Sequence, residues 1–365
     1  MSKTWAMFNT LQLITALPLL VIKVPANVAA FQTEFQKVVN LQIIPKETLK
    51  KWLFAGDEVT EKTQAGASTE AGWEAADIDT ESLLPNVLLL VLSLIVAVLL
   101  IAVLVLMRKH LEAKCHPSVK KVYRSVKQKL MFNSVIRTLL QMYLLTAIST
   151  LVSLANFDKN GDRPGLNMTL AILIVIGLLA FPVFSYVHLK RNEDKLRTPD
   201  FKGSYGTLYQ TVEYYKPEAL VYTSIFLGRR LFFAATVAFL QSSVVLQVWL
   251  TVHASLLYMC WFVHVMPMID WQNNAVQLIN EYFFLFFSYY VYLFTDFVPD
   301  PETRYFFGTV YLWLLAANTG LNLVLIAIMV YQMVKQEIEK RKQKKVNKDK
   351  PQKKAVIPQT TEMEV

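Results

Sequence analysis

Apolar residues run for helix-spanning lengths along most of this chain, and polar positions break those runs at only a few places. A bilayer requires about twenty helical residues to cross, so stretches of that length with few charges read as spans. Seven stand out, at residues 84–107, 130–157, 166–189, 220–240, 244–266, 274–297 and 305–334. The first is apolar on every side and opens with Pro85, which suits a first helical turn. The second and third are joined by the turn residues Asp158, Asn160, Gly161 and Asp162, and Pro182 is expected to kink the third. The last four follow one another closely enough to predict a compact antiparallel bundle. Residues 5–22 are also apolar but contain Pro18 and are followed by Lys23 and Pro25. They are expected to form an eighth span, a re-entrant helix or an interfacial one.

Two of these runs contain groups that hydrocarbon does not welcome. Glu281 lies inside residues 274–297, and Arg229 and Arg230 lie inside residues 220–240. A charge at the bilayer centre costs about 3 kcal/mol or more, so such residues pair with one another or mark an ion path. Glu281 is about 10 Å beyond Asn274, and Arg229 lies at a similar depth at about 1.5 Å per residue. Arg229 or Arg230 is therefore expected to pair with Glu281, either locking two helices in register or taking part in gating. Around Glu281, the residues Asn274, Gln277, Ser288, Tyr292 and Thr295 recur at helical spacing, with Asn280 beside them. They predict a polar face running the thickness of the membrane. Gln247, Thr251, Ser255 and Tyr258 form a shorter face of the same kind, and Asn318 and Asn322 lie one turn apart beside Ala316 and Gly320, a small-residue pair expected to pack against a neighbouring helix.

Composition agrees with the pattern: 54% of residues are hydrophobic, 18% are charged and mean hydropathy is +0.35. The chain is all-α, a polytopic membrane helical bundle. Three regions follow: residues 1–83 with the N-terminal apolar helix and an acidic segment, residues 84–334 with the bundle, and residues 335–365 as a polybasic tail. Basic residues number eight in 108–129, six in 190–216 and ten after 334, which places those connections and the C-terminus in the cytoplasm. Residues 57–81 carry eight acids against Lys62 and fit the outer side. The net charge of +9 thus belongs to one membrane face, which removes nucleic acid as the expected partner. Beyond residue 334 the last helix is expected to continue briefly before a disordered stretch attracted to anionic lipid. The partners are membrane lipids and, for a bundle of this kind, further copies of the chain.

Enzyme chemistry finds little to build on. Two cysteines, Cys115 and Cys260, offer neither a disulfide framework nor a thiolate metal site. The five histidines lack zinc spacing, and His253 and His264 are expected to pack between helices. No cofactor is implied.

Several short elements carry a resemblance. Asn9-Thr10-Leu11-Gln12-Leu13-Ile14, Leu17-Pro18-Leu19, Pro25-Ala26-Asn27 and Ile43-Ile44-Pro45 come first. Phe201-Lys202-Gly203, Gly206-Thr207-Leu208-Tyr209, Arg229-Arg230-Leu231, Asn280-Glu281 and Phe294-Thr295-Asp296-Phe297-Val298 follow. Together they resemble the C-terminal membrane module of very large ciliate surface proteins, which are similar to the transient receptor potential (TRP) C-terminal domain group. The resemblance implies a TRP-like integral membrane protein that acts as a cation channel or channel subunit; the alternative is a non-conducting receptor or anchor. The connections between the last four spans leave no room for a re-entrant filter loop, so an ion path would have to be built from helix faces.

Overall fold

The computed structural model describes residues 2–39, 95, 99, 102–103, 106, 133, 135–156 and 164–349. Among them there is no strand, only an isolated bridge between Val212 and Met268. Apart from a single turn at Pro217–Leu220, the α-helices among the described residues are α1 (Ser2–Ala16), α2 (Ala26–Val39), α3 (Val135–Ala155), α4 (Pro164–Arg191), α5 (Pro199–Tyr209), α6 (Tyr222–Phe239), α7 (Val244–Val265), α8 (Trp271–Tyr290) and α9 (Pro301–Asp349). Four of them, α3, α4, α7 and α9, are long and apolar enough to cross a membrane. The two that carry the charges, α6 and α8, bury them in the bundle. The expected span at 84–107 lies outside the described residues except for 95, 99, 102, 103 and 106, which are helical and exposed. The turn at 158–162 and the acidic segment at 57–81 also lie outside them.

The N-terminal apolar run is buried inside the bundle. Leu11, Leu13, Ile14 and Leu17 are all buried, because α1 threads the bundle and packs chiefly on α8, with α9 and α2 beside it. A 3-10 turn over Leu17–Leu19 then reverses the chain, and α2 returns along α1, where Gln32 Nε2 donates to the Thr15 carbonyl at 2.9 Å. The reversal is tied to the α8–α9 connection: Lys23 N donates to the Phe294 carbonyl at 2.7 Å, and Lys23 pairs with the exposed Asp296. Asn27 Nδ2 reaches the Tyr305 carbonyl at 3.1 Å and Thr309 Oγ1 at 3.0 Å. Gly308 makes this approach possible, since a Cβ there would collide with Asn27 Oδ1 and come within 2.9 Å of Pro25 Cβ.

At the opposite, basic end the elements are laced by backbone and aromatic contacts. Glu213 N donates to Pro267 O at 2.8 Å and Ile269 N to Thr211 O at 3.1 Å. The segment leading into α6 is thereby held against the segment leading into α8. His188 stacks among Phe184, Phe201 and Tyr205, which seats α5 on the end of α4. Tyr209 Oη donates to the Leu196 carbonyl at 2.8 Å. Burial, with Tyr214 adding to it, pushes that hydroxyl up to about 12, so it remains a donor at neutral pH.

α4 runs through Pro182 without a break in the assigned helix. Proline has no N–H, so the Leu178 carbonyl one turn earlier loses its helical donor. The buried Tyr143 of α3 supplies a replacement, its Oη donating to Leu178 O at 2.7 Å. A proline defect in one helix thus becomes a contact with its neighbour. Tyr143→Phe should lower thermal stability in detergent by about 1–2 kcal/mol, the cost of a buried unmade hydrogen bond. In a Pro182→Ala background, where the helical N–H is restored, the same substitution should cost much less; equal costs in the two backgrounds would remove the compensation.

Candidate functional site

The helices that meet at the centre do so through groups hydrocarbon cannot satisfy. Arg229 of α6 forms an ion pair with Glu281 of α8 through Nη1 and Oε2, and both side chains are almost wholly buried. Gln277, one turn earlier on α8, donates from Nε2 to Glu281 Oε1 at 2.9 Å. Both carboxylate oxygens are therefore engaged. The guanidinium lies over the Tyr258 ring of α7, 4.3 Å from its centroid, and over Phe284 of α8 at 4.8 Å. Aromatic faces carry negative quadrupole charge, so they stabilise a cation that water cannot reach.

Arg230 does not share Glu281. Successive helical residues point about 100° apart, and Arg230 turns toward α1 and α3 instead. Its Nη2 donates to Asn9 Oδ1 at 3.0 Å and to the Asn9 carbonyl at 3.2 Å, and its Nη1 reaches the Leu140 carbonyl at 3.4 Å. The Phe226 ring lies 4.4 Å beneath it. Arg230 is fully buried yet has dipoles rather than a carboxylate for company. Sequence reasoning missed Asn9 in this role. The available signal was a polar residue at the head of an apolar helix that has no water to face.

The polar face predicted along residues 274–297 is shorter than expected. Asn274 lies at its base, where its amide caps the preceding turn: Met268 N donates to Asn274 Oδ1 at 3.0 Å and Asn274 Nδ2 donates to Met268 O at 3.0 Å. That turn needs the help because Met266 adopts φ 44°. Ser288 bonds back to the Phe284 carbonyl of its own helix. Tyr292 and Thr295 fall beyond α8, the first in a 3-10 turn over Val291–Phe294 and the second after it. The helix tightens there, so neither continues the face.

Asn280, Asn318 and Asn322 come together in a buried knot between α8 and α9. Asn322 Nδ2 donates to Asn280 Oδ1 at 2.8 Å, to Asn318 Oδ1 at 3.1 Å and to the Asn318 carbonyl at 3.0 Å. Ala316 and Gly320 do not join it. Both are exposed, and nothing lies within 4 Å of a Cβ built on Gly320, so among the described residues the small-residue pair packs against no helix. On α7, Gln247 reaches two elements at once, accepting from Val21 N at 2.8 Å and donating to the Thr236 carbonyl at 3.2 Å. Thr251 and Ser255 bond back to their own helix. His253 and His264 do not pack between the described helices: both are exposed on α7.

The bundle with its buried ionic centre defines an integral membrane protein. Residues 56–355, 300 of 365, match the model of the transient receptor potential (TRP) ion channel family, and the chain belongs to that family. No curated protein and no solved structure matches it. The match begins after α1 and α2, so the motif containing Asn9 lies outside it.

Removing one partner of a buried pair leaves an uncompensated charge, which costs about 3–5 kcal/mol. Arg229→Met and Glu281→Leu should each lower the unfolding temperature sharply, whereas the double variant should recover most of the loss. Arg230→Met with Glu281→Leu should show no such recovery. A double variant of Arg229 and Glu281 as unstable as the worse single one would mean that the two side chains are not energetically coupled.

Proposed function

We propose that the protein is a subunit of a TRP-type cation channel, in which the Arg229–Glu281 pair and the asparagine knot hold the transmembrane helices in register and do not themselves line the ion path. Membership of the family supports conduction. The burial of Gln277, Asn280, Glu281, Ser288, Asn318 and Asn322, each between 0% and 4% exposed, supports the scaffold role. A group whose hydrogen bonds are made by neighbouring helices is a poor ligand for a passing ion.

The basic end of the bundle faces the cytoplasm, in keeping with lysine and arginine collecting on that side. α9 continues in helical form to Asp349, much further than the brief extension expected, and its exposed lysines would lie against anionic inner-leaflet lipid. A second reading, a receptor or anchor that conducts nothing, draws on the same burial of the polar face.

Purified protein in liposomes separates the two. A channel subunit should give cation flux above that of empty liposomes, and correctly folded protein with none would leave the receptor or anchor reading. Glu281→Gln should reduce flux only in proportion to the folded protein recovered, with unchanged ion selectivity. A change in selectivity per folded molecule would place Glu281 in the path.

A further inference from the structure

The bend between α7 and α8 holds a residue in a conformation it does not favour. Met266, which ends α7, adopts φ 44° and ψ 66°, and among the described residues it is the one non-glycine residue with positive φ. In that left-handed region the Cβ crowds the following carbonyl oxygen. Pro267 comes next, and a proline ring pushes the residue before it toward extended backbone. Both effects act on Met266. Such a conformation persists only where its surroundings over-determine it, and it recurs at switch regions.

Two sets of contacts hold the bend. One travels with α8, whose Asn274 amide binds the backbone of Met268 through both its oxygen and its nitrogen. The other comes from the segment between α5 and α6: Glu213 N donates to Pro267 O, Ile269 N donates to Thr211 O, and Val212 and Met268 are buried as bridge partners. Only this second set has to break for the bend to relax. Ile269, in the middle of the contact, is exposed, so water has access to the backbone groups released. Two backbone bonds exchanged for bonds to water contribute net about as much as one left-handed residue costs. Burial of the Val212 and Met268 side chains then tips the balance toward the closed form.

We propose that residues 211–213 and 267–269 form a two-state clasp, closed as described above and open when Met266 leaves the left-handed region and the bases of α6 and α8 part. The ion pair lies further in. Glu281 is about 15 Å along α8 from Trp271, and Arg229 about 10 Å along α6 from Tyr222, at about 1.5 Å per residue. Opening leaves that pair joined, as a fulcrum about which the two bases separate. Strain at Met266 is present only in the closed form and favours release. The clasp is independent of whether the protein conducts ions.

In full-length protein carrying Cys115→Ser and Cys260→Ser, the thiol of Val212→Cys is shielded in the closed clasp and reached in the open one. Its rate of reaction with N-ethylmaleimide in native membranes therefore reads the open fraction. Met266→Gly and Met266→Asn introduce residues that accept left-handed backbone, and each should slow that reaction by about threefold to tenfold. Met266→Val, which prefers extended backbone, should speed it. Leu196→Cys, equally buried on the α4–α5 connection at the same end of the bundle, should respond to none of the three. Where Val212→Cys does not fold, Met268→Cys reads the same opening from the other side. The proposal is overturned if position 212 reacts no faster than position 196, if Met266→Gly and Met266→Asn leave its rate unchanged, or if Met266→Val and Met266→Gly shift it in the same direction. Equal changes at positions 196 and 212 also overturn it, since they report loss of the whole fold.

Discussion

The cost of holding charge in hydrocarbon organises this structure. Glu281 would be prohibitive alone on α8, and Arg229 alone on α6; together, with Gln277 and the faces of Tyr258 and Phe284, they satisfy one another. Lipid tails are as apolar as leucine, so burial of apolar area does not choose one helix arrangement over another in a membrane. Polar contacts do choose. The ion pair joins α6 to α8, Arg230 joins α6 to α1 and α3, and the asparagine knot joins α8 to α9. Each of these helices is tied to its neighbours by a buried polar group that needs partners from them.

A second set of contacts holds the ends of the same helices. Near one end, the paired segments around Val212 and Met268 tie the entrances of α6 and α8, which are the two helices joined by the ion pair. At the other, Lys23 fastens the turn between α1 and α2 to the α8–α9 connection, and Asn27 with Gly308 fastens it to the start of α9. The Arg229–Glu281 contact is thus supported from below, and α1 is held from above. A helix fastened at both levels can present Asn9 to Arg230 at a set depth.

Much of this was legible before any coordinates. Helical spans, the burial of Arg229, Arg230 and Glu281 at comparable depth, and a polar side to α8 all follow from chain length, hydropathy and the 3.6-residue period. The limits are equally physical. Periodicity shows that Gln277 and Glu281 share a face but not which helix meets it. It extended that face to Tyr292 and Thr295 because a tightening to 3-10 geometry leaves no mark in the polar pattern. It assigned His253 to the interior, where the structure has it exposed, because a polar residue needs a partner and sequence does not say on which side the partner lies.

The sequence alone determined that this is a membrane helical bundle with charges that require partners, because hydrocarbon thickness and the energy of burying charge are the same for any chain. Only the tertiary structure decided that Arg229 takes the carboxylate while Arg230 takes the carbonyl and amide of Asn9. Adjacent positions on a helix differ by a rotation of about 100°, and which rotation meets which neighbour depends on how all the helices pack. Depth in the membrane is one-dimensional and can be counted along the chain; direction around a helix is settled by the neighbours.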